Sequence, residues 1–115
     1  MNEAFEAWLV TMLADPAPVR KEQVVLAQRL WHALLLILPN LPAPQAGMSD
    51  DGAVFQMAWD RDKHHFTIDF HEIGTIDLFY RYREDGVCPW GMDLAPGERF
   101  LTEIARAVPY LELFV

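Results

Sequence analysis

The sequence predicts an α+β domain: two N-terminal helices, a three-stranded antiparallel meander with room for a short fourth strand, and a C-terminal helix on one face. Three observations carry this. Apolar residues recur at helical spacing up to residue 38. They switch to strict alternation between residues 53 and 83. Proline and glycine clusters punctuate each change of period. At 115 residues the chain is one domain's worth and leaves no room for a second core. It divides into a helical part (1–38), a linker (39–52), a sheet (53–83), and a loop with the C-terminal helix (84–115).

The first helix is predicted from Asn2, a capping residue, to about Ala14. Phe5, Trp8, Leu9, Met12 and Leu13 form a single apolar stripe along it. Asp15-Pro16-Ala17-Pro18 ends it, because proline lacks the amide and restricts its predecessor. Pro18 then suits the first turn of a second helix running to about Leu38. Val24, Ala27, Trp31 and Leu34 fall on one side of that helix. Its end, Ala33 to Leu38, is apolar all round, which predicts cover on every side, in the core or in an interface.

Pro39-Asn40-Leu41-Pro42-Ala43-Pro44 reads as a stiff extended connector. In the first strand-like run, Ala53 to Trp59, the residues Phe55, Met57 and Trp59 share one face. In the second, His65 to Phe70, the inward set is Phe66, Ile68 and Phe70, with His65, Thr67 and Asp69 outward. In the third, Thr75 to Arg83, Ile76, Leu78, Tyr80 and Tyr82 face in, and Asp77, Phe79, Arg81 and Arg83 face out. Period two with one apolar face marks a sheet covered on one side. The stretches around Asp62 and Gly74 are short enough for hairpin turns. Glu84 to Gly97 reads as a loop, rich in glycine and proline. The last helix, from about Gly97 to Val108, offers Phe100, Leu101, Ile104 and Val108 to the sheet and stops at Pro109. The apolar tail 110–115 adds a short strand or docks under a helix.

"LPAP", "DDGAVFQMAW", "FTIDF" and "TIDLFYRYR", taken in order, resemble a recurrent group of small bacterial proteins built as helix, meander and helix. The resemblance covers about residues 30–83 and rests on turn and core positions. It implies the fold and carries no catalytic residue with it.

Composition narrows the function. The net charge is −8, which argues against a basic footprint for nucleic acid and against an anionic membrane surface. The charge is uneven: residues 47–115 hold six bases against 13 acids, a net of −7. One cysteine, Cys88, excludes an internal disulfide framework and a Cys-rich zinc site. The first six residues carry two glutamates and no base, unlike a secretory leader. The most apolar run, Val24 to Leu38, is broken by Gln28, Arg29 and His32 and falls short of the ~20 residues that cross a bilayer. A cytoplasmic protein is expected.

Two chemical readings follow. Phosphate-loop, serine-hydrolase and zinc-protease motifs are absent from the sequence. In their absence the acidity points to a non-enzymatic interaction module, of inhibitor, immunity or antitoxin type, that neutralises a basic partner protein. Its expected contact residues are His65, Asp69, Asp77, Phe79, Arg81 and Arg83 on the outward sheet face, and Trp90 in the loop. The competing reading is a small metal-dependent enzyme using His65, Asp69 and His71, with Cys88 as a further candidate. Strand spacing opposes it, since His65 and His71 would lie ~20 Å apart at ~3.3 Å per residue. No cofactor is expected. A homodimer through residues 33–38 and the tail 110–115 is compatible with the interaction reading.

Overall fold

A computed structural model describes residues 6–7, 18–48, 54–71, 74–82, 87–94 and 103–115, with the backbone alone at 18–21, 48 and 87–89. The class is α+β, but the sheet has five strands, not three. Helix α1 (Pro18–Ile37) is followed by β1 (Gln45–Met48), β2 (Val54–Arg61), β3 (His64–His71), β4 (Ile76–Tyr82) and β5 (Val87–Leu94). The chain then closes with a 3-10 turn (Ile104–Arg106), a four-residue helix α2 (Val108–Leu111) and a second 3-10 turn (Glu112–Phe114). The strands lie in sequence order and all pairs are antiparallel, so the sheet is an uninterrupted meander. Of the two N-terminal helices expected, α1 is the one described. The first, over 2–14, lies outside the described residues except for Glu6 and Ala7, which are helical.

The central strands form where alternation places them, with Phe55, Met57, Trp59, Phe66, Ile68, Phe70, Ile76, Leu78 and Tyr80 buried on one face. Two positive-φ residues turn the hairpins. Asp62, at φ 54°, sits between β2 and β3, where an Asp side chain tolerates the left-handed region. Gly74, at φ 94°, closes the β3–β4 turn, its amide donating to the His71 carbonyl at 2.9 Å.

Both edge strands depart from the expectation. β1 forms inside the predicted linker, where Gln45 to Met48 pair with Phe55 to Ala58 of β2. β5 forms inside the predicted loop. Tyr80 pairs with Trp90 but Tyr82 with Val87, so β5 carries an extra residue around Cys88 and Pro89. An edge strand with a bulge is where a sheet accommodates proline.

Helix α1 packs on the buried face through Val24, Ala27, Leu30, Trp31 and Leu34. The Gln23 side-chain amide donates to the Phe70 carbonyl at 2.8 Å. Trp31 stacks on Trp59 at 6.3 Å, and the Trp59 indole N–H donates to the Pro42 carbonyl at 2.8 Å, fixing the connector across the sheet end. Burial of each such large side chain contributes ~1.5–3 kcal/mol. The apolar helix end is not covered on every side. Leu34 is fully buried, whereas Leu36 is 87% exposed and Ile37 46%.

Of the predicted helix over 97–108, residues 97–102 lie outside the described residues; Glu103 is helical and is followed by the 3-10 turn Ile104–Arg106 and, from Val108, by α2. Pro109 lies in the first turn of α2 instead of ending a helix, a position where the missing amide costs nothing. Ile104, Ala107, Leu111 and Phe114 are buried against the same sheet face as α1. The tail is therefore a docked helical strap and not a strand. Tyr110 stacks on Trp90 at 4.8 Å and on Tyr80 at 5.1 Å, and Phe114 meets His64 edge-on at 6.4 Å. Arg61 donates to the Val115 carbonyl at 2.9 Å. All described helical elements thus lie on one face, and the other face of the sheet is open among the described residues.

Candidate functional site

The open face is organised by register into rows that cross the strands. The first runs Gln56, Asp69, Asp77, Asp93. The second runs Ala58, Thr67, Phe79, Gly91, and the third Asp60, His65, Arg81. Neighbouring members of a row are one strand apart, ~4.8 Å, and successive rows are ~6.6 Å apart along each strand.

The first row sets three carboxylates side by side. Like charges directly opposite each other across a strand pair oppose sheet formation. Gln56 relieves one end, its amide donating to Asp69 Oδ1 at 2.8 Å. His71 flanks the row and pairs with Asp77 Oδ2 through Nε2 at 2.7 Å. Asp93 has no such relief. Its hydrogen bond to Asp77 and repulsion by that charge raise its pKa above the ordinary aspartate value; partial loss of water adds to this, and nearby His71 opposes it.

The second row is low. The Phe79 ring lies beside Gly91 of β5: a Cβ built on Gly91 would lie 3.2 Å from Phe79 Cδ1 and 3.5 Å from Cε1. On this face a depression of about 410 Å³ is lined by Gln56, His65, Thr67, Asp69, Phe79 and Arg81. In the third row His65 Nδ1 is paired with Asp60 Oδ1 at 2.7 Å.

Of the predicted contact residues, His65, Asp69, Asp77, Phe79 and Arg81 do share this face. Arg83 lies outside the described residues. Trp90 is on the opposite face, half-buried, stacked between Phe66 at 6.1 Å and Tyr110 at 4.8 Å, so it is a packing residue and not an outward contact. Gln56, Asp60, Gly91 and Asp93 belong to the site and were not expected there. For Asp93 the signal was present: Trp90, Met92 and Leu94 alternate as a strand, which turns Gly91 and Asp93 outward.

The arrangement also separates the metal candidates. His65 and His71 pair with different carboxylates at opposite ends of β3. Among the described residues no group of three His, Cys, Asp or Glu side chains could hold a metal ion. Cys88 is placed by its backbone in the β5 bulge, with its side chain outside the described atoms. What the face offers is charge, hydrogen-bond acceptors and one aromatic ring. Also among the described residues, no helix is long and apolar enough to cross a membrane. No protein-family model matches the chain, no curated protein matches it, and no solved structure matches it.

Proposed function

We propose that this protein is a non-enzymatic, cytoplasmic interaction module of inhibitor, immunity or antitoxin type, which neutralises a basic partner protein through the open face of its sheet. The observation that supports this reading is the Asp69–Asp77–Asp93 row on a face that no described helix covers. Three adjacent carboxylates work against the sheet that carries them, and a cationic surface laid on them removes that cost. The net −7 over residues 47–115 extends the same field and speeds encounter with a basic partner.

The test is capture from the cells the protein comes from, at low and high salt, with the wild type beside a triple variant Asp69→Asn, Asp77→Asn, Asp93→Asn. A basic protein retained by the wild type at low salt, lost at high salt and absent from the variant is the expected result. Recovery of chaperones alone, or of the same proteins with both baits, overturns the reading.

A further inference from the structure

We propose that Tyr80 and His64 form a radical sink: an oxidising equivalent that reaches the tryptophans of the buried face comes to rest on Tyr80 as a neutral tyrosyl radical, with the phenol proton on His64. The pair lies on the face opposite the acidic row and does not depend on the reading given above. Its basis is a continuous file of aromatic rings. Trp31 stacks on Trp59 at 6.3 Å, Trp59 meets Phe66 edge-on at 6.2 Å, and Phe66 stacks on Trp90 at 6.1 Å. Trp90 in turn stacks on Tyr110 at 4.8 Å, and Tyr110 on Tyr80 at 5.1 Å. The file runs from α1 across the sheet to the C-terminal strap and back to β4. Rings at these separations pass an electron between them, with Phe66 and Tyr110 as bridges.

Ring contact carries the electron but does not choose where the oxidising equivalent stops. Proton chemistry makes that choice. A phenol that loses an electron becomes a strong acid and must give up its proton in the same event. Tyr80 is 8% exposed, so bulk water is not at hand to take it. His64 Nδ1 lies 2.7 Å from the Tyr80 hydroxyl, and the imidazole stacks on the phenol at 5.9 Å. With its own proton on Nε2, the imidazole accepts from that hydroxyl, and the base is already in place. Among the described residues the Tyr110 hydroxyl meets no such base. The way in is Trp90, which is half-buried, whereas Trp31 and Trp59 are buried. The steps balance. A diffusible inorganic radical takes one electron from Trp90 and becomes its anion, while the indole proton leaves to water. Tyr80 then gives one electron to the Trp90 radical and its proton to His64 Nδ1, and Trp90 regains a proton from water. The product is an intact tryptophan, an imidazolium and a tyrosyl radical.

The experiment is pulse radiolysis of the full chain in azide solution, where the azide radical oxidises tryptophan in preference to tyrosine. In the wild type, tryptophan-radical absorbance is expected to convert into tyrosyl absorbance in a first-order step. Its rate should be independent of protein concentration and lower in heavy water. Tyr80→Phe keeps the ring in the file and should remove that step, leaving a long-lived tryptophan radical. His64→Gln keeps an acceptor for the hydroxyl but no imidazole base, and should slow the step about 100-fold, the low end of what a positioned base contributes. Conversion that is second order in protein, or that survives either substitution at the wild-type rate, overturns the sink. Thermal unfolding shows whether each variant folds. Should one not fold, the wild type decides by electron paramagnetic resonance of the frozen radical. A tyrosyl signal coupled to an exchangeable proton, lost in heavy water, is expected from the His64 imidazolium; a tyrosyl signal without that coupling overturns the pair.

Discussion

Phe79 and Gly91 are a directly opposed pair on β4 and β5, and the ring of one occupies the space where a side chain on the other would begin. The pair fixes the relief of the open face. Gly91→Ala would place a methyl group 3.2 Å from Phe79 Cδ1 and 3.4 Å from the Leu78 carbonyl oxygen. The ring is on the open side and can tilt, and alanine is better suited than glycine to a strand interior. The variant is therefore expected to fold with stability within ~0.5 kcal/mol of wild type. The Phe79 ring tilts away from the new methyl group. Denaturant unfolding checks the first statement. Nuclear Overhauser contacts between the new methyl group and the Phe79 ring check the second.

Asp93 gives a pH prediction with a definite sign. Its folded-state pKa is raised by Asp77, so the folded chain binds the proton more tightly than the unfolded one. Between the ordinary aspartate value and the raised one, stability falls as pH rises, and the loss is complete above the raised value. Asp93→Asn removes this penalty. The variant is expected to melt higher than wild type at neutral pH, and the difference should close as pH falls toward the ordinary aspartate range. Melting curves across acid to neutral pH test it; a neutral-pH gain that persists unchanged in acid would show that the repulsion is not its source.

The sheet was legible in the sequence only at its centre. β2, β3 and β4 each bury an aromatic and aliphatic set at period two, and their partners on both sides enforce it. The edges lack that signal for physical reasons. β1 is four residues of Gln, Ala, Gly and Met behind a proline-rich connector, held by pairing with β2 and not by β propensity. β5 contains Pro89 and Gly91, which mark a loop when read singly. Only its edge position, its bulge and the Phe79 ring make them compatible with a strand. The same error displaced Trp90 from the packed face to a loop. The site was half legible: the β3 and β4 residues were readable from alternation, while Asp93 could be placed only once β5 existed.

Trp90 now reports on the C-terminal strap. Tyr110 stacks on it at 4.8 Å and on Tyr80 at 5.1 Å, both near-parallel. Tyr110→Ala removes two ring contacts and part of the cover over Trp90. A loss of about 2 kcal/mol is expected, less than for a fully buried aromatic because Tyr110 is half-exposed. Trp90 is expected to emit at longer wavelength as water reaches it. Denaturation followed by tryptophan emission measures both. A red shift without loss of stability would mean that the strap covers Trp90 but does not hold the fold.

The end of α1 provides the sharpest contrast between neighbouring positions. Leu34 is fully buried against the sheet, while Leu36, half a turn on, is 87% exposed. Leu34→Ala opens a cavity in the layer between helix and sheet and is expected to cost ~2–5 kcal/mol. Leu36→Lys loses no packing within the chain and is expected to stay within ~0.5 kcal/mol of wild type. Leu36 and Ile37, with Leu113 and Val115 of the strap, are the exposed large apolar side chains among the described residues. A homodimer built on residues 33–38 and 110–115 must bury Leu36, so in that arrangement Leu36→Lys would convert dimer to monomer at unchanged fold stability. Sedimentation velocity at rising concentration, run beside unfolding curves for both variants, separates the two effects. An unaltered sedimentation coefficient for Leu36→Lys would show that this helix end carries no second copy.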